Sequence, residues 1–92
     1  MTSNPNIILV LIDGARMDRI HKVRECSEIL SKGMLFPKMC TYAPYTLASM
    51  AAIFSGMYGF RNGVDAYNKM YKYKKDVIFL AEYLRDAGYH TV

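Results

Sequence analysis

The sequence predicts an α/β fold, part of a parallel or mixed sheet flanked by helices, on three observations. Residues 7–12, Ile-Ile-Leu-Val-Leu-Ile, form an unbroken apolar run that stops at Asp13-Gly14. Residues 21–32 and 76–87 carry apolar side chains at helical spacing, and each stretch is followed by a glycine, Gly33 and Gly88. The resulting order is strand, helix, strand, helix, helix, strand. The right-handed crossover rule assembles that order most simply as a sheet with helices on its faces.

Each element has its own local reason. The first run lacks alternation, so both faces are expected to be buried, as in a central strand. In 21–32 the apolar positions are Val23, Cys26 and Leu30, and Gly33 is placed to end the helix. Residues 35–42 include Leu35, Phe36, Met39 and Tyr42 and predict a second strand, with Pro37 pushing it towards an edge. Thr46 is placed as the N-cap of an Ala-rich helix over 47–54, Pro44 discouraging an earlier start and Ser55-Gly56 closing it. Gly59, Gly63 and many polar residues make the stretch from Gly56 to Asp76 a loop. Asp76 is the expected N-cap of the last helix, and 89–92 reads as a strand just beginning.

Composition narrows the function classes. The chain has 92 residues, 52% hydrophobic and 22% charged, which excludes a disordered tail or a low-complexity linker. Two cysteines and two histidines without a C-x-x-C fit neither a disulfide scaffold nor a self-contained zinc site. The longest apolar run is far short of the ~20 residues that span a bilayer, and no leader is evident. No membrane partner is therefore expected in this part, and cytoplasmic is the default location. So much apolar side chain on so short a chain predicts exposed hydrophobic surface and self-association.

Two positions invite chemistry. A carboxylate at the end of a buried strand, Asp13, suits a hard metal ion, or it caps a turn through local backbone amides. The Thr46 hydroxyl at a helix N-terminus faces a region that favours anions, or it serves as an ordinary cap. An alcohol is a poor nucleophile at its ordinary pKa, so attack on an ester would need a base or a metal beside it.

Read with their surroundings, these positions resemble the N-terminal portion of the sulfatase-like branch of the alkaline phosphatase superfamily. Three segments carry the resemblance. Residues 5–18, Pro-Asn-Ile-Ile-Leu-Val-Leu-Ile-Asp-Gly-Ala-Arg-Met-Asp, look like the family's first strand, metal-binding Asp and following Arg-x-Asp. Residues 46–58, continuing to Arg61-Asn62-Gly63-Val64, are similar to its nucleophile helix and the loop after it. Residues 80–92 match the next helix and its entry into a strand. On that resemblance, 1–92 is an N-terminal fragment of an alkaline-phosphatase-like catalytic domain.

The resemblance implies roles residue by residue. Asp13 matches a metal ligand, Thr46 falls at the nucleophile and metal-contacting position, and Ser49 matches the serine three residues later. Arylsulfatase-type members place a Cys at the nucleophile position, convert it to formylglycine, and follow it with Pro and Arg. Thr46, Ala48 and Met50 stand at those places here, so that modification is not expected. Cys40 does not supply the motif either. Gly14 replaces the second Asp of many sulfatases, and both departures resemble Thr-nucleophile members that act on phosphate esters and diesters. Phosphoryl chemistry is favoured over sulfuryl. The implied cofactor is a divalent ion (Ca, Zn, Mn or Mg) whose remaining ligands this chain does not contain, so 1–92 alone is expected to be inactive. The implied substrate is a small anionic ester, with Ser49 and Arg61 as weaker candidates for contacting it.

Other features have plainer readings. His21 is expected on the surface and His90 in a structural role. Tyr42, Tyr45, Tyr58 and Tyr67 are candidates to line a cleft or simply half-buried packing. The basic, aromatic run at 69–75 gives the alternative function, a small basic α/β module binding nucleic acid or another polyanion. A solvated loop explains that run more simply. No nucleic-acid partner is expected under the enzyme reading.

Overall fold

The computed structural model describes residues 4–65 and 70–92. They belong to two compact units, one of Asn6–Cys40 and one built on Thr41–Val92.

In the first unit, residues 7–12 lie in no helix or ladder and are exposed, Ile8 to 85% and Val10 to 75%. The turn at Asp13-Gly14 follows as the sequence predicts, with Gly14 at φ +69°. A single helical turn, α1 (Met17–Ile20), comes next. The helix expected over 21–32 forms as α2 (Arg24–Lys32). It starts late because residues 21–23 turn first, with Lys22 N–H donating to Arg19 O and Val23 N–H to Ile20 O. The Val23 carbonyl then accepts Ser27 N–H at 2.9 Å, which makes Val23 the N-cap. Ile20, Cys26 and Leu30 are half-buried, and every other described residue of this unit is exposed. Across 35–42, where the second strand was expected, no strand forms, and the chain turns at Pro37-Lys38 instead. Met39 N–H donates to Phe36 O at 3.2 Å around Pro37-Lys38, since proline presets the first corner of a turn and offers no N–H to a ladder.

The second unit is organised by α3 (Thr46–Ser55). Its buried residues Ala48, Ala51 and Ser55 share one face, spaced by three and four. Small side chains there let α4 (Gly59–Asn62) and β1 (Val64–Asp65) come close. β1 pairs antiparallel with β2 (Met70–Tyr71), Val64 opposite Tyr71 and Asp65 opposite Met70. The segment expected to be a plain loop therefore contains a helical turn and a short ladder. The glycines that suggested a loop serve close packing: a Cβ on Gly59 would lie 2.6 Å from Val64 O and 2.9 Å from Asp65 Cβ.

Asn62, 0% exposed, ties this unit together. Its Nδ2 donates to Ser55 Oγ at 3.0 Å and Met57 O at 3.1 Å, and its Oδ1 accepts Val64 N–H at 2.7 Å. Its own carbonyl accepts Lys74 N–H at 2.9 Å. One side chain and one carbonyl thus join the end of α3, the following turn, β1 and the segment after β2. The buried apolar residues described are Ala43, Ala48, Ala51 and Val64, a core of small side chains.

The last helix, α5 (Leu80–Asp86), begins four residues after Asp76. Asp76 sits in a turn closed by Val77 N–H to Lys74 O, so it caps nothing, and Phe79 is the N-cap. Phe79 has no side-chain acceptor, so the cap is one-sided: Glu82 Oε2 accepts Phe79 N–H at 2.8 Å. Tyr73 meets Phe79 edge-on at 4.7 Å and fastens the approach to the helix. Gly88 N–H to Arg85 O and Tyr89 N–H to Leu84 O close the helix in a Schellman arrangement, as Gly88 predicts. Residues 89–92 lie in no ladder. Among the described residues, no helix is long and apolar enough to cross a membrane.

Candidate active site

The segment leading into α3 determines where Thr46 stands. Tyr45 is extended, at φ −118° and ψ 137°, and its carbonyl accepts Ser49 N–H at 3.0 Å. That bond makes Tyr45 the N-cap, and Thr46 is the first helical residue instead of the cap. Thr46 is exposed in the first turn of a ten-residue helix. The amide-rich end of such a helix carries roughly half a positive charge, which favours an anion near it.

Ser49 has a structural function in the same turn. Its Oγ is 2.6 Å from Ala43 O and 2.8 Å from Thr41 Oγ1, and Thr41 Oγ1 is also 3.1 Å from Ala43 O. Two hydroxyls carry two protons, so only two of these three bonds form at once. The shortest contact takes the Ser49 proton to Ala43 O, and Thr41 then donates to Ser49 Oγ. This pair clips residues 41–45 onto α3 and so fixes the approach to Thr46. Thr41 is a residue that sequence reasoning missed; its only signal there is a hydroxyl eight positions before Ser49.

Arg61 belongs to the other end of the helix. It lines a cleft of about 600 Å³ with Tyr42, Ala52, Gly56, Met57, Tyr58 and Phe60. At ~1.5 Å per residue, the two ends of α3 are about 14 Å apart. The structure therefore brings Thr46 and Ser49 into one turn and leaves Arg61 out of it. Of the four tyrosines named as candidates for a cleft or for packing, Tyr42 and Tyr58 line this one, Tyr45 does not, and Tyr67 lies outside the described residues.

Asp13 is exposed in the turn of the first unit, whereas Thr46 belongs to the second. The Arg-x-Asp that follows is a closed clamp: Arg16 Nε donates to Asp18 Oδ1 at 2.9 Å and Nη2 to Oδ2 at 2.8 Å. Arg16 holds the Asp18 carboxyl below its ordinary range, with a smaller contribution from His21. The Asp18 carboxylate held against the guanidinium already balances its charge, which disfavours a second anion at Arg16. His21 is exposed, its Nδ1 3.3 Å from Met17 O, and His90 is exposed outside any strand. Lys72, Lys74 and Lys75 of the basic run are exposed, while Lys69 lies outside the described residues. Lys74 Nζ donates to Phe60 O at 2.8 Å.

Among the described residues, no group of three or more His, Cys, Asp or Glu side chains is placed to hold a metal ion. A catalytic metal takes about three protein ligands or more, so Asp13 and Thr46 do not make a metal site by themselves. Comparison of the chain with protein-family models, with characterised proteins and with solved structures gave no match.

Proposed function

We propose that this chain is the N-terminal part of a metal-dependent hydrolase or transferase acting on phosphate or sulfate esters, with Thr46 as nucleophile. The fold proposed for the complete domain is alkaline-phosphatase-like, with residues 7–12 as a strand covered on both faces. The observation that carries the reading is the three-segment resemblance, which aligns Asp13, Thr46 and Ser49 in order with functional positions of one family. Its support in the structure is the exposed Thr46 in the first turn of α3, held by the Thr41–Ser49 clip.

In this reading the Thr46 hydroxyl gives its proton to solvent and its Oγ1 bonds to phosphorus or sulfur as the bond to the ester oxygen breaks, the departing oxygen keeping the electron pair and taking a proton from solvent. Water or an acceptor alcohol then attacks the covalent adduct and restores the hydroxyl. The first turn of α3 contributes favourable potential to the charge on the transferred group. The divalent ion of this reading, Ca, Zn, Mn or Mg, needs ligands besides Asp13 and Thr46 and would supply charge neutralisation of the transferred group. In the complete gene product, Thr46→Ala is expected to abolish turnover of aryl phosphate and aryl sulfate esters while metal content stays nearly unchanged. Undiminished turnover would refute the assignment.

A further inference from the structure

Five arginines occur in the chain, and among the described residues four of them have a carboxylate within 4.0 Å: Arg16 and Arg19 share Asp18, Arg24 meets Glu25, and Arg85 meets Asp86. Arg61 is the exception. Its guanidinium has neither an ion pair nor a hydrogen bond to any described residue, although its backbone N–H is fixed to Tyr58 O at 2.8 Å. The same cleft holds a row of rings. Tyr42 and Tyr58 lie 5.4 Å apart with their planes tilted by 44°, and Tyr58 stacks on Phe60 at 6.0 Å and 16°. Tyr58 and Phe60 are 62% and 59% exposed, so ring surface remains to be covered. An aromatic wall beside a planar, two-pronged cation suits a ligand with a flat ring and one anionic group. The ring would pack on the row, and the anion would take the guanidinium in a bidentate contact.

We infer that the cleft bounded by Tyr42, Met57, Tyr58, Phe60 and Arg61 is a binding site for aromatic carboxylates and similar ring-bearing monoanions. It is separate from Thr46, at the opposite end of α3, and does not depend on the nucleophile reading. The site is preformed in two respects. Asn62 and the turn it ties to Ser55 and Met57 hold α4 in place, and Lys74 Nζ holds the Phe60 carbonyl.

The test is a titration of the 92-residue chain with benzoate, followed by amide and ring signals in NMR, with acetate and phenol as the two halves of the ligand. Benzoate is expected to saturate and to shift the signals of residues 56–61, with acetate and phenol each about tenfold weaker or more. Arg61→Gln should weaken benzoate about tenfold, Arg61→Lys by less, and Tyr58→Ala a few-fold. Thr46→Ala should leave the affinity unchanged, which separates this site from the proposed nucleophile. Circular dichroism establishes that each variant keeps its helices. Should Arg61→Gln unfold, the Arg61→Lys and Tyr58→Ala titrations decide. Equal binding of acetate and benzoate, shifts centred outside 56–61, no saturable binding, or affinities insensitive to the cleft substitutions would each overturn the inference.

Discussion

Asn62→Ala is the substitution whose cost is set most directly by the geometry. It removes the acceptor of Val64 N–H, and Val64 is only 1% exposed, so water does not replace that acceptor without opening the fold. A buried donor left unpaired costs about 1–3 kcal/mol. The two bonds from Nδ2 to Ser55 Oγ and Met57 O contribute about 0.5–1.5 kcal/mol each. The expected loss is therefore about 2–6 kcal/mol, against roughly 5–15 kcal/mol for a typical domain. With a urea slope of ~1.5 kcal/mol/M, the midpoint should fall by about 1–4 M. Urea unfolding followed by tyrosine fluorescence measures the loss, and exchange of the Val64 and Lys74 amides locates it. Asn62→Asp sharpens the test. A carboxylate at that position keeps an acceptor for Val64 but turns an oxygen towards Met57 O, and burial raises its pKa above the unfolded value. Stability of that variant should therefore increase as pH falls through its folded pKa, because the protonated acid regains one donor. A loss below about 0.5 kcal/mol for Asn62→Ala, with Val64 amide protection unchanged, would refute the role given to this side chain.

Gly59→Ala should destabilise by about 1–3 kcal/mol, because the new Cβ meets backbone at 2.6 Å, whereas Gly33→Ala, with its nearest neighbour at 3.7 Å, should be tolerated; thermal melts compare them. Asp18 should titrate below the ordinary carboxylate range by NMR, and Arg16→Gln should return it upwards. Because its folded pKa is depressed, any stability from this pair is present above the ordinary Asp range and is lost as pH falls through the folded value; a folded pKa equal to that of an unfolded Asp would contradict the clamp. Ile8→Lys should reduce binding of a hydrophobic dye and any self-association seen by sedimentation, since Ile8 is the most exposed side chain of the 7–12 run. Unaltered dye binding would mean that this run is not the sticky surface.

What was legible in the sequence is what depends on local pattern. Gly56 and Gly88 mark helix ends because a helix closes through bonds to residues a few positions back, and the Asp13-Gly14 turn is equally local. Start positions were less legible. Thr46 and Asp76 are good caps by residue type, yet the carbonyl that accepts the first helical bond belongs to Tyr45 in one case. In the other, Glu82 reaches back to Phe79 three positions after Asp76. The first turn of α3 drew notice at Thr46 and Ser49, but not at Thr41, whose contact with Ser49 depends on the chain folding back over eight residues. Asn62 drew no attention as a buried polar residue, because an Asn before Gly reads as a turn signal until its three side-chain bonds are seen. Arg61 was picked out as a partner of an anion, and its separation from Thr46 along α3 could not be read from spacing alone.

Polar and apolar groups are settled very differently in this chain, and the contrast bears on both proposals. Among the described residues, no buried side-chain nitrogen or oxygen lacks a hydrogen-bond partner. From Thr41 to Lys74 the directional bonds form a connected set: Thr41 to Ser49, Ser49 to Ala43, Ser55 to Ala51, Asn62 to Ser55, Met57 and Val64, and Lys74 to Asn62 and Phe60. Such a set fixes shape, because each bond weakens steeply with distance and angle. Among the described residues, by contrast, the apolar side chains classed as buried are three alanines and a valine, with others half-buried, while the six apolar residues of 7–12 remain in solvent. Hydrophobic surface is non-directional and is satisfied by whatever covers it. The second unit is thus shaped by its polar contacts, which hold Thr46 and the Arg61 cleft at opposite ends of one helix. The 7–12 run has side chains suited to a strand but no ladder to define its register. Covering that run would add stability without having to remake either end of α3, so the nucleophile reading and the aromatic-anion site can be tested independently.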